Sequence, residues 1–68
     1  MTVARVTEIS STSPKSFDDA VEQGVARAAK TLHGIKSAWV KDMNVSVDNG
    51  KITHYRVNLL VTFVLDDA

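Results

Sequence analysis

Asn49-Gly50 constrains this chain more than any other pair of residues. Both tolerate positive φ, and a two-residue turn of that kind joins antiparallel strands with matching twist. The flanking runs suit it: roughly Ser37 to Val47 before the turn and Lys51 to Leu65 after it, both rich in β-branched and aromatic residues. A two-residue turn sets Asp48 opposite Lys51. Counting back predicts Met43 opposite Arg56, Lys41 opposite Asn58, Trp39 opposite Leu60 and Ser37 opposite Thr62. In the second run Tyr55, Val57, Leu59, Val61, Phe63 and Leu65 share one face, while His54, Arg56, Asn58, Leu60, Thr62 and Val64 share the other. The first set, joined by Ala38 and Val40, is expected to cover a helix. The opposite face then carries Trp39, Met43, Val45, Val47, Leu60 and Val64 among polar groups, an apolar patch that calls for a partner. A bulge near Asp42 would instead turn part of the strand over.

Upstream the pattern changes. Residues from about Val3 to Ser10 read as a first strand of mixed polarity, followed by a polar turn, Ser10-Ser11-Thr12-Ser13-Pro14. A helix then runs to about His33. Its start is either Ser13 capping with Pro14 in the first helical position, or Ser16 and Asp19 spaced as a capping box. Phe17, Ala20, Val21, Gly24, Val25, Ala28 and Leu32 recur at three- and four-residue intervals and form one apolar stripe. Asp18, Asp19 and Glu22 near the start, and Arg27, Lys30 and His33 near the end, suit the helix dipole. Gly34 is the expected stop. The order is strand, helix, strand, strand, an α+β domain spanning residues 1–68.

A chain of 68 residues buries little surface alone. It contains no cysteine and only two histidines, His33 and His54, so disulfides, thiolate metal sites and a histidine-only zinc site offer no support. Oligomerisation remains as the default expectation. Eight basic residues balance eight acidic ones, which argues against nucleic-acid binding through a general positive field. No apolar run is long enough to span a bilayer and the start of the chain lacks a signal-peptide pattern, so a cytoplasmic protein without membrane contact is expected.

No catalytic constellation is legible. Gly24, Gly34 and Gly50 are scattered rather than gathered in a phosphate-binding loop. Asp18 and Asp19, being adjacent, diverge on a helix. Asp66 and Asp67 read as a solvated tail, His54 as a surface histidine. A carboxylate-based Ca²⁺ site at a subunit junction stays open as an alternative, without a loop signature. A binding protein, not an enzyme, is the expectation.

The element order and three strings resemble the dodecin family: Val6 to Ser13 (VTEISSTS), Ala26 to Leu32 (ARAAKTL) and Tyr55 to Asp66 (YRVNLLVTFVLD). The resemblance covers nearly the whole chain. It implies a three-stranded antiparallel sheet wrapped around one helix and a hollow homododecamer. It also implies flavin (FMN, FAD or a riboflavin-related compound) bound between subunits for storage or sequestration. An indole stacked on the flat isoalloxazine ring gains dispersion and contact area, and electron transfer from it would quench the excited flavin.

At the flavin site the chain departs from that pattern. In an ungapped alignment the family's stacking tryptophan falls on Ser37, and Trp39 follows two residues later. The glutamine that bonds the flavin edge falls on Arg56. A branch known as calcium dodecins shares both departures. Two readings follow for Trp39. Either it is a stacking platform displaced by about 7 Å along the same strand face, with Arg56 donating to a flavin carbonyl or phosphate, or it is subunit-interface core. The candidate binding residues are Trp39, Ser37, Arg56, Lys41 and Asn58. The alternative function is a dodecin-like assembly that binds Ca²⁺ or a nucleotide cofactor and has lost flavin.

Overall fold

The computed structural model describes residues 2–65, so the acidic pair Asp66-Asp67 lies outside the described residues. The elements are β1 (Ala4–Ser13), α1 (Phe17–Ala29), β2 (Ile35–Asp48) and β3 (Lys51–Val64). They form one antiparallel sheet in the order β1-β3-β2, with the helix on one side. The side facing the helix is here called inner and the other outer. Asn49 and Gly50 both adopt positive φ, 54° and 75°, so the turn forms as its residues dictate.

The hairpin register agrees with the expected one at both ends and departs from it in the middle. Asp48 faces Lys51, Trp39 faces Leu60 and Ser37 faces Thr62. Between them β3 gains one residue, Thr53, and β2 gains one, Lys41, so the two irregularities cancel. In the intervening stretch Met43 faces Val57 rather than Arg56, Asn44 takes the place opposite Arg56, and Asp42 rather than Lys41 faces Asn58. The expected bulge near Asp42 therefore exists. By pairing, it moves Met43, Val45 and Val47 from the outer face to the inner one, which corrects their assignment. A further irregularity sets Lys36 and Ser37 against Thr62.

β1 runs three residues further than expected. The presumed turn Ser10 to Ser13 continues the ladder, from Ser10 opposite Asn58 to Ser13 opposite Tyr55. The inward positions Thr7, Ile9, Ser11 and Ser13 are the more buried ones of this strand. Ser13 is not the helix cap. It is buried, donates to the Asp19 carboxylate at 2.6 Å and accepts from the Lys15 N–H at 3.0 Å. Ser16 is the cap, its Oγ accepting from the Asp19 N–H at 3.0 Å. The helix stops at Ala29, before His33, because turn bonds from Lys30, Thr31 and Leu32 to Arg27 and Ala28 tighten its end. Gly34 lies beyond the helix, where its carbonyl accepts from the Val64 N–H as β2 begins.

The core is the meeting of two stripes. Ala20, Gly24 and Ala28 line the buried side of α1, and Val57, Leu59 and Val61 of the central strand are almost fully buried against it. Phe17 meets Tyr55 edge-to-face at 5.1 Å between ring centres. Close approach is the reason for the small residues: a Cβ on Gly24 would stand 2.9 Å from Ser11 Cβ and 3.1 Å from Leu59 Cδ1.

A 13-residue helix is about 20 Å long, whereas the strands of the hairpin extend about 46 Å each. The chain is accordingly elongated, 53 × 19 × 13 Å. The helix covers β1 and β3 and touches β2 least. Val40 and Met43 on β2, and Val47 and Ile52 near the hairpin tip, stay exposed although they pair along the inner face.

Two outcomes test this packing. Gly24→Ala gains about 1 kcal/mol of helix propensity but overpacks the helix–sheet contact at a cost of about 1–3 kcal/mol. A net fall in the urea midpoint is expected, and a raised midpoint would mean that the helix stands further off the sheet. Ser13→Ala strips partners from Asp19 and the Lys15 N–H and should destabilise by about 1–3 kcal/mol, read as a lower thermal midpoint.

Candidate functional site

Alternation along the strands brings the five candidate residues to one surface. Ser37, Trp39, Arg56 and Asn58 have outer-face partners in the ladder, and Lys41, unpaired at the bulge, lies on the same side, where it meets Glu8 of β1. Rows across the sheet can be read directly: Val6, Thr62 and Ser37; Glu8, Leu60 and Trp39; Ser10, Asn58 and Asp42; Thr12, Arg56 and Asn44. From the first row to the last is about 20 Å along β3.

Trp39 dominates this face. It is 63% exposed, with half-buried Leu60 beside it on the central strand. An indole needs burial to contribute its contact energy, and within the subunit it has little. The polar groups around it are already organised. Lys41 Nζ donates to both Glu8 carboxylate oxygens at 3.3 Å. Asn58 Nδ2 donates to Asp42 Oδ1 at 2.5 Å, and Arg56 Nε donates to Thr12 Oγ1 at 3.4 Å. Ser37 is exposed and lies one same-face step from Trp39.

Lys41 and Asn58 do not face one another, as the uninterrupted register required; each has found an acidic partner instead. Glu8, Asp42 and Thr12 are the members of this surface that sequence reasoning missed. For Asp42 a signal existed: the adjacent polar pair Lys41-Asp42 separates apolar residues at even positions (Ala38, Val40) from apolar residues at odd ones (Met43, Val45, Val47), the mark of an inserted residue. Glu8 and Thr12 needed the pairing of β1 with β3, which the mixed polarity of the first strand conceals.

The surface is a platform, not a pocket. A groove elsewhere, between α1 and the edge of β1, is lined by Ile9, Gly24, Arg27 and Ala28 among others and contains none of the five candidates. A planar ligand laid on Trp39 would be covered on one side only, so complete enclosure requires a second protein surface. Among the described residues no cluster of three or more His, Cys, Asp or Glu side chains is placed to hold a metal ion, and no helix is long and apolar enough to cross a membrane.

Comparison with known proteins agrees with this fold. The dodecin family model matches residues 3–66. A calcium dodecin from Mycobacterium tuberculosis is 39% identical over 69 residues, covering all of this chain and 96% of that protein. Among solved structures, a dodecin from Streptomyces davaonensis superposes with a TM-score of 0.92 at 36% identity, covering 97% of each chain. A calcium dodecin crystal structure from M. tuberculosis, described as having a novel calcium-binding site, superposes at 0.81 with 36% identity, covering 97% of this chain and 94% of that one. The strand-helix-strand-strand order, the single helix against a three-stranded antiparallel sheet, and a match running through residues 3–66 make this chain a member of the dodecin family.

Proposed function

We propose that this protein is a storage or sequestration protein for flavin, assembled as a hollow homododecamer that binds the ring between subunits. The observation that carries the reading is Trp39, a bare indole 63% exposed on a flat sheet face. Trp39 serves as the stacking platform in place of the residue at Ser37. Arg56 donates to a ring carbonyl of the ligand, and Asn58, Lys41 and Ser37 border the ring. Assembly supplies the second surface that the open face lacks, and it covers the apolar residues that the helix leaves bare. The role is binding rather than turnover: stacking and hydrogen-bond donation hold a ring.

Titration of ligand-free protein with riboflavin or FMN should quench the flavin fluorescence, and Trp39→Ala should weaken binding by about tenfold or more, the scale of a lost aromatic stack. No quenching at micromolar protein would refute the storage role. A Trp39→Ala protein that binds flavin normally but sediments as smaller species would make Trp39 interface core.

A second reading is Ca²⁺ binding, favoured by the 39% identity to a calcium dodecin. Its ligands would have to come from several subunits, because carboxylates such as Asp42 and Glu8 already pair within one. Calorimetric titration with CaCl₂ should then show saturable heat that EDTA abolishes; a flat titration removes this reading.

A further inference from the structure

Three observations bear on which ligands the Trp39 platform accepts. Lys41 is the inserted residue of β2, and its ammonium group lies with the carboxylate of Glu8, 3.3 Å from both oxygens. Glu8 and Trp39 share one row of the sheet, on either side of Leu60. The Lys41 and Glu8 side chains are each about half exposed, 49% and 48%, so the pair remains open to an incoming ligand.

Two strand spacings separate Trp39 from Glu8, about 10 Å. An extended five-carbon chain ending in a phosphate covers that distance. A ring stacked on Trp39 with its side chain running across the sheet therefore brings the chain's end to the Lys41–Glu8 pair. An uncharged end meets a pair whose net charge is zero. A phosphate has to draw Lys41 away from Glu8 and then sits near an unpartnered carboxylate. Other charges on the face differ in place: Arg56 is two same-face steps from Leu60, about 13 Å along β3, and Asp42 is held by Asn58.

We infer that Glu8, acting through Lys41, is a specificity-determining residue that disfavours phosphorylated flavin relative to riboflavin at the Trp39 platform. The inference rests on the flavin reading above and adds a charge preference to it. Glu8 positions and neutralises Lys41; it does not itself stack on the ligand.

The test measures riboflavin and FMN affinities side by side by fluorescence titration. Glu8→Gln should raise FMN affinity relative to riboflavin by about two- to fivefold, the range of one exposed charge interaction. Lys41→Met, which leaves Glu8 unpaired, should shift the ratio the other way. Added salt should shrink both effects. A purely structural role for the pair would change both affinities together and leave the ratio fixed. An unchanged ratio in both variants, with riboflavin still bound, overturns the role of Glu8 alone. Failure of the unaltered protein to bind either flavin overturns the flavin reading, and this inference with it.

Discussion

The register between β2 and β3 decides what every face of this subunit carries. Strand geometry allows no gradual adjustment: one residue of slip turns each following side chain over. Here two single-residue insertions, Thr53 and Lys41, cancel across the hairpin. The turn end and the Trp39 end both keep the register set by Asn49-Gly50. The stretch between them is shifted by one, which pairs the apolar residues Met43 and Val45 with Val57 and Tyr55 and places Asp42 and Asn44 beside Asn58 and Arg56. Had all these residues paired in one uninterrupted register, the outer face would carry Met43, Val45 and Val47 as well as Trp39 and Leu60. With the insertions, that face is polar apart from Trp39, Leu60 and residues toward the far end of the sheet such as Val6 and Val64.

That arrangement interacts with a shortage of cover. Ala20, Gly24 and Ala28 let the helix settle closely onto Val57, Leu59 and Val61, a tight contact of limited extent. One short helix cannot reach both the hairpin tip and the β2 edge. Val40, Met43, Val47 and Ile52 are left exposed on the side where a larger protein would have a second helix. A chain of this size has no disulfide to compensate, which is the physical reason for the proposed assembly. The same geometry that makes the subunit incomplete also makes the platform incomplete: Trp39 stands on a flat face that only another surface can close.

Much of this was legible in the residues. The turn, the element order and Ser16 as one of two possible caps follow from short-range rules, each decided by a few neighbouring side chains, whereas Trp39 pairs with Leu60 as counted because the insertions at Thr53 and Lys41 cancel. The failures share a cause, which is that the deciding contact is distant in sequence. Ser10 to Ser13 look like a turn by composition, yet pairing with β3 holds them in the sheet and the helix exploits their small size, Gly24 against Ser11. His33 suits a helix end by charge, yet the chain must leave the helix earlier for Gly34 to meet Val64. At the candidate site, parity correctly gathered Ser37, Trp39, Arg56 and Asn58, while the acidic partners of Lys41 and Asn58 depended on a bulge and on a third strand.

The separation of causes at the platform has a consequence for how its properties combine. Trp39 faces outward from a position paired in the ladder, whereas Lys41 shares that face from a position with no ladder partner. A strand lacking residue 41 would still set Asp42 against Asn58 and Met43 against Val57, so every other side chain would retain its face. The aromatic surface and the charge beside it are thus independent features of the same strand. The position of the stacking surface is tied to the regular ladder and cannot be moved without disturbing the sheet's two-sided pattern. Charge is carried by a residue outside the ladder and by its exposed partner Glu8, so its value can change while the fold, the core and the indole remain as they are.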